Sequence, residues 1–139
     1  MRGGLSGSYF DSQWLRAPAT MVRLDAGIDF DFGEGLVTPY ARDYVSIRWA
    51  GKLLVPSSET FTFFLSAMGG GARLWVNHKL IVSSGMSPAD ADGQLTALEE
   101  LRASTELEAG DWVDIVVEYR HSTGAAAVHL EWSSPSRSR

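Results

Sequence analysis

Apolar and polar residues alternate along much of this chain, which is the pattern of a β-strand with one buried face. The alternation is clearest from Val45 to Val55, from Trp112 to Arg120 and from Ala125 to Trp132. The last two segments are separated by His121 to Gly124. Two long strands joined by four residues that include a glycine predict an antiparallel hairpin.

Shorter segments rich in branched and aromatic residues also predict strands, and turn signals recur at intervals of roughly ten residues. Gly7 predicts a bulge or a close backbone approach, and Gly51 predicts a kink. Many short strands of this kind predict an all-β fold, an antiparallel sandwich or barrel. The shorter segments are Leu5 to Phe10, Met21 to Leu24, Ile28 to Phe32, Phe61 to Ala67, Ala72 to Val76 and Lys79 to Val82.

One segment fits two classes of secondary structure. Leu95, Leu98 and Leu101 recur at a helical period, whereas the neighbouring segments predict strands. Leu95 to Ser104 is therefore either a short helix or a strand. Ser83 to Gln94 is rich in small and polar residues and predicts a surface loop.

The length and composition are those of one folded domain. The chain has 139 residues, of which 45% are hydrophobic and 21% charged, and this supports one compact core. We predict a single domain over residues 1–139, with an ordered core from about 5 to 134 and flexible ends at 1–4 and 135–139.

Charge and cysteine content exclude several kinds of partner and site. The net charge is −5 and the twelve lysines and arginines are scattered, whereas nucleic-acid binding needs a concentrated basic surface. No segment reaches the ~20 apolar residues of a membrane span, so no membrane insertion is predicted. Cysteine is absent, which excludes disulfides, thiolate zinc sites and thiol nucleophiles.

No catalytic residue is predicted, so the domain is not expected to be an enzyme. His78, His121 and His129 fall at a turn, a hairpin tip and a strand face, outside any catalytic motif. The sequence has neither a Gly-x-Ser-x-Gly elbow nor a Gly-x-x-x-x-Gly-Lys phosphate loop. Glu118 and Glu131 are predicted to oppose each other on the final hairpin as solvated carboxylates.

The tryptophans divide into two predicted groups. Trp49, Trp112 and Trp132 lie within or beside strands whose apolar faces build the core, so packing is predicted for them. Trp14 lies in an irregular segment and Trp75 could face outward. These two are the candidates for stacking on a sugar ring.

An acidic segment follows the first predicted strands. Asp25, Asp29, Asp31 and Glu34 carry oxygen atoms that could ligate calcium, but their spacing does not fit the loop of a calcium-binding helix-loop-helix. A solvated strand face is predicted for them.

Three consecutive glycines, Gly69 to Gly71, stand between two predicted strands. Glycine allows positive φ and the close approach of another group. The run is therefore either a loop that grips a ligand or a flexible connection.

Several motifs stand in a fixed order along nearly the whole chain: Ile28-Asp-Phe-Asp-Phe-Gly33, Val45-Ser-Ile-Arg-Trp-Ala-Gly51, Phe61-Thr-Phe63, Gly71-Ala-Arg-Leu-Trp-Val-Asn77 with Lys79-Leu-Ile, Leu107-Glu-Ala-Gly-Asp-Trp112, Val117-Glu-Tyr119 and Leu130-Glu-Trp132. In this order they resemble the PA-fourteen (PA14) domain, which is named from the anthrax protective antigen. The resemblance implies an antiparallel β-sandwich module of adhesins, toxins, glycosidases and cell-surface receptors. It also implies a longer parent chain and an extracellular or cell-surface location.

In sugar-binding members of the family, two adjacent aspartates before the Gly-x-Arg-Leu strand hold a calcium ion that chelates sugar hydroxyls. This chain has Gly69 and Gly70 at those positions, which removes two anionic ligands. The family's Asp-Gly turn is replaced by Asn77-His78. No cofactor is therefore predicted, and calcium-dependent binding is not expected.

Two functions follow from these observations. The first is a noncatalytic module that binds a glycan or another ligand without calcium. The second is a structural or protein-interaction domain that has lost the sugar site and docks a partner through strand edges or the Ser83 to Gln94 loop. The predicted ligand-binding residues are Gly69, Gly70, Gly71, Arg73, Trp75, Asn77 and His78.

Overall fold

The computed structural model describes residues 4–86 and 98–139, and these residues form ten β-strands and no helix. The all-β prediction is confirmed. Accordingly, no helix of the described residues is suited to crossing a bilayer. The strands are β1 (Leu5–Phe10), β2 (Met21–Asp25), β3 (Asp29–Gly33), β4 (Val45–Leu54), β5 (Glu59–Met68), β6 (Gly70–Val76), β7 (Lys79–Ser84), β8 (Glu99–Leu107), β9 (Trp112–His121) and β10 (Ala126–Ser133).

The strands form two antiparallel sheets packed face to face. The six-stranded sheet has the order β2-β1-β4-β9-β6-β7, and the four-stranded sheet has the order β3-β10-β5-β8. Their inner faces carry the alternating apolar residues and meet in one core. The fully buried members with the largest side chains include Trp49, Ile115, Phe61 and Phe63.

The segment with a helical period is a strand in its described part. From Glu99 to Leu107 the side chains alternate between exposed and more buried, and the strand pairs with β5 over its whole length. Pairing with a long hydrophobic strand overrides the local helical period. Residues 95–97, and residues 87–94 of the predicted surface loop, lie outside the described residues.

The final two strands do not form the predicted hairpin. β9 lies in the six-stranded sheet between β4 and β6, whereas β10 lies in the four-stranded sheet between β3 and β5. The connection carries the chain across the core from one sheet to the other. The alternation of apolar and polar residues correctly predicted two strands. However, two strands that pair in one sheet and two strands that pack against each other across the core show the same alternation.

The chain also crosses from one sheet to the other at the glycine run. β5 ends at Met68, β6 begins at Gly70, and Gly69 between them has φ of +92°. A Cβ on Gly70 would lie 1.9 Å from the carbonyl oxygen of Arg120, and one on Gly71 would lie 2.2 Å from that of Gly85. Gly69 to Gly71 therefore form a buried corner, which we name the glycine corner, in which backbone atoms contact backbone atoms.

Gly51 does not interrupt β4. The pairing of β4 with β9 continues through Gly51 opposite Ile115 without a register shift. A Cβ on Gly51 would lie 2.6 Å from Leu5 Cδ2. The glycine therefore marks a close approach of β1.

A buried carboxylate ties the first strands to the core. Asp25 accepts hydrogen bonds from Tyr9 Oη at 2.7 Å and Trp49 Nε1 at 2.8 Å, and from Arg23 Nε at 2.6 Å. Burial, followed by the bond to Asp25, raises the pKa of Tyr9. A Cβ on Gly7 would lie 2.8 Å from Asp25 Oδ2, so side chains approach this glycine closely. The prediction that Asp25 is solvated was wrong.

The residues after β10 are held by Glu59 at the start of β5. Its carboxylate accepts hydrogen bonds from Ser136 and Ser57, and from Ser134. These bonds, led by that from Ser136, lower the pKa of Glu59 to about 2.

Gly70→Ala is expected to destabilise the domain strongly, because the added methyl group collides with the Arg120 carbonyl. Overpacking of this kind costs about 3 kcal/mol. Gly27→Ala is the matched control, since nothing lies within 4 Å of a Cβ at that position, and its effect should stay within about 0.5 kcal/mol. Urea unfolding followed by tryptophan fluorescence measures both. Equal stability of the two variants would contradict the buried corner.

Candidate functional site

The outer face of the six-stranded sheet carries a row of charged residues. Arg48 on β4, Glu118 on β9 and Arg73 on β6 are direct cross-strand partners. Antiparallel partners place their side chains on the same face of a sheet. The three groups therefore meet on the surface that faces away from the core.

Glu118 is the centre of this row. Its Oε2 accepts a hydrogen bond from Arg48 Nε at 2.6 Å, and its Oε1 accepts one from Arg73 Nε at 2.6 Å. Glu118 is 1% exposed, while the side chains of Arg48 and Arg73 are 49% and 30% exposed. Two cations share one anion, so the row carries one net positive charge. We name these three residues the charged triad.

An apolar row lies beside the charged triad on the same face. Ala50, Val116 and Trp75 are cross-strand partners in β4, β9 and β6. The row continues to the exposed Leu80 on the edge strand β7 and, through Ser6 on β1, to the exposed Leu24 on the edge strand β2. Six strands spaced by ~4.8 Å make this face about 24 Å wide.

The two rows border a depression of about 450 Å³ on the sheet surface. Trp75 is half-buried in it, and the Arg73 guanidinium lies 4.8 Å from the centroid of the Trp75 ring. His78 Nε2 lies 2.7 Å from Asp114 Oδ2 at its border. The depression is lined by Arg48, Trp75, His78, Asp114, Val116 and Glu118.

The structure divides the predicted ligand-binding residues into two groups. Trp75 and His78 line the depression, and Arg73 stacks on Trp75. Asn77 lies in the adjacent exposed turn with φ of +52°. Gly69 to Gly71 are buried at the opposite end of β6, about 13–20 Å from Trp75 along the strand.

Four residues of the depression were absent from the sequence prediction: Arg48, Asp114, Val116 and Glu118. Arg48 lies on β4 and the other three lie on β9, and no local pattern indicates that these strands and β6 lie side by side. The prediction that Glu118 is solvated and opposes Glu131 was wrong, because Glu131 lies on β10 in the other sheet.

Backbone atoms and the side chain of His121 surround the glycine corner. Ser122 N donates to Gly69 O at 2.8 Å, and the ring nitrogen Nε2 of His121 lies 3.0 Å from Gly124 O. Among residues 4–86 and 98–139, no group of three or more histidine, aspartate or glutamate side chains is placed to hold a metal ion.

The other tryptophans differ in their exposure. Trp49 is buried as predicted, and Trp132 packs on Phe61 with ring centroids 5.2 Å apart. Trp112 is 54% exposed, so its predicted packing was wrong. It begins β9 opposite Leu54, where the outward side of the strand meets solvent.

Trp14 covers a buried arginine at the other end of the outer face. The Arg120 guanidinium lies 4.7 Å from the centroid of the Trp14 ring, and burial lowers the pKa of Arg120. Arg120 also donates to Gln13 Oε1 at 3.0 Å and to Ser122 Oγ at 2.8 Å. One face of the Trp14 ring is thus occupied by the protein itself.

Two packed antiparallel sheets, one with an open outer face that mixes aromatic and charged residues, define a β-sandwich domain with a candidate site on its surface. The sequence model of the PA14 domain matches residues 1–139, and the chain belongs to the PA14 domain family. The resemblance predicted from the motifs is confirmed.

One relative is an anti-sigma factor, and a second is described as an anti-sigma factor domain-containing protein. The chain is 36% identical over 139 residues to the anti-sigma-I factor RsgI3 of Acetivibrio thermocellus, which covers 98% of the chain and 20% of that protein. An anti-sigma factor domain-containing protein from Clostridium clariflavum superimposes with a TM-score of 0.83 at 36% identity, over 98% of this chain and 43% of that one. The chain thus spans less than half the length of these relatives.

A third similar structure is described as the PA14 sugar-binding domain from an RTX adhesin. It superimposes with a TM-score of 0.70 at 15% identity, over 97% of this chain and 92% of that one. At this identity the likeness shows the shared fold.

Glu118→Gln is expected to lower the free energy of unfolding, because two guanidinium groups then face a neutral amide. Since both arginines are partly in water, we expect a loss of about 1–2 kcal/mol, below that of a fully buried pair. Lys52→Gln is the control, as Lys52 forms an exposed pair with Asp114 at 3.2 Å, and its effect should stay within about 0.5 kcal/mol. Urea unfolding at low and high salt measures both. Equal losses for the two variants would show that the charged triad behaves as an ordinary surface pair.

Proposed function

We propose that this domain is a noncatalytic recognition module of a longer protein and that it binds carbohydrate at the depression around Trp75. The main observation in support of the proposal is the position of Trp75 on an open sheet face beside the charged triad. An aromatic ring provides an apolar surface for one face of a pyranose, and fixed polar groups around it select hydroxyl positions.

The groups around Trp75 are held in place before any ligand arrives. Arg73 is fixed by Glu118 on one side and by the Trp75 ring on the other. Asp114 is fixed by His78 and Lys52. Preorganised donors and acceptors lose little conformational entropy on binding, which favours affinity for a small polar ligand.

The sugar-binding description of the related adhesin domain supports carbohydrate as the ligand class. The proposed position differs from a calcium site at the glycine corner, because the depression lies at the opposite end of β6. Binding at the depression would use side chains of the sheet face and needs no metal ion.

A second candidate function is the docking of a protein. The exposure of Leu24 (72%) and Leu80 (47%) at the two edges of the apolar row favours it, since exposed apolar residues in line mark interaction surfaces. The two anti-sigma factor relatives support a protein partner or a neighbouring domain of the parent chain.

Trp75→Ala is expected to weaken carbohydrate binding at least tenfold, equivalent to about 1.4 kcal/mol, because the stacking surface is lost. A glycan array with the unmodified domain, run with calcium and with chelator, first identifies a ligand, and calorimetry then compares variants. We expect the same affinity under both conditions.

Trp112→Ala is the matched control, since Trp112 is an exposed tryptophan that does not line the depression. Its affinity for the glycan should be unchanged. No binding to any glycan would overturn the carbohydrate proposal, and a binding signal abolished by chelator would overturn the metal-free mode.

A further inference from the structure

A cleft opens between the two sheets at the end of the sandwich opposite the glycine corner. Its outer part has a volume of about 650 Å³ and lies between Pro56, Gly110 and Arg137. This volume is within the range of small-molecule sites, roughly 300–1,000 Å³. The cleft is separate from the depression around Trp75.

A second cavity of about 90 Å³ lies next to the cleft. Leu53 and Trp132 border both spaces, so the outer and inner spaces adjoin at these two side chains. Apart from the backbone of the loop at residues 26–28, the inner cavity is surrounded by apolar side chains: Ile28, Leu53, Phe63, Ile115, Leu130 and Trp132. These six side chains offer contacts to an aliphatic group.

One cation stands at the mouth of the cleft. Arg137 Cζ lies 6.0 Å from the centroid of the Trp132 ring, and within the described part of the chain Arg137 forms no ion pair. Nearby carboxylates have other partners, since Glu59 binds serines and Glu131 lies 3.3 Å from Arg139. The guanidinium is therefore available to an anion from outside.

We propose that this cleft binds a small amphiphilic carboxylate, with its aliphatic tail in the inner cavity and its carboxylate at Arg137. The inner cavity holds roughly three or four heavy atoms, because one liquid water occupies about 30 Å³. The tail passes between Leu53 and Trp132, and the guanidinium forms a charge-assisted hydrogen bond with the carboxylate.

Hexanoate is the probe for a titration of the ¹⁵N-labelled domain followed by NMR. We expect saturable shifts of the Trp132 indole N–H and the Gly110 amide. Hexylamine has the same tail with the opposite charge, and acetate has the charge without the tail. Both should bind at least tenfold more weakly than hexanoate.

Two variants test the position of the carboxylate and the position of the aliphatic tail separately. Arg137→Gln should weaken hexanoate at least fivefold without weakening hexylamine, whereas Ala26→Leu, at the exposed rim of the inner cavity, should weaken both. Arg102→Gln is the control, because Arg102 lies on the outer face of the four-stranded sheet away from the cleft, and should bind hexanoate normally.

The proposal is overturned by any of three results: no saturable shift up to the solubility limit of hexanoate, equal affinity for hexylamine, or an Arg137→Gln variant that binds hexanoate as well as the unmodified domain. Spectra of each variant without ligand confirm that it is folded.

Discussion

The contact of backbone with backbone at Gly70 and Gly71 is the constraint on which the outer face depends. The carbonyls of Arg120 and Gly85 occupy the space where side chains would stand. This contact fixes β6 against β9 with Gly71 opposite Arg120, and the register then brings Arg73 opposite Glu118 and Trp75 opposite Val116. A shift by one residue would turn Arg73 and Trp75 toward the core. The glycine run therefore influences the candidate site from the far end of β6, because it sets the register of β6 against β9.

Asp25 and Glu118, both buried carboxylates, have different roles on the two faces of the six-stranded sheet. Asp25 holds Tyr9 and Trp49 on the inner face, where its partners are mostly neutral donors of the core. Glu118 holds two cations on the outer face, where each cation keeps contact with water. The first arrangement orders the packing of β1, β2 and β4, and the second orders a surface. Both satisfy the rule that a buried charge needs close partners.

Local sequence patterns were sufficient to predict where the strands lie but not which strands pair with each other. Alternation from Trp112 to Arg120 and from Ala125 to Trp132 reports one buried face, and it is silent on whether the two strands pair or pack across the core. For the same reason the sequence could place Trp75 near Arg73 on one strand. It could not place Glu118 between Arg48 and Arg73, which are 70 and 45 residues away along the chain. Trp112 shares the outward face of β9 with Asp114, Val116 and Glu118, so its exposure follows from the alternation of that strand.

The order of strands in the six-stranded sheet has a consequence for the synthesis of the chain. β9 is a central strand of that sheet, flanked by β4 and β6, yet it is the ninth of ten to be made. Until β9 leaves the ribosome, β1 and β4 cannot be joined to β6 and β7, and their hydrogen-bonding edges stay open. Pairings this distant in sequence slow folding and prolong the exposure of unpaired edges. Within a longer parent protein, the domain would therefore complete its fold only after nearly all of its own sequence has been translated.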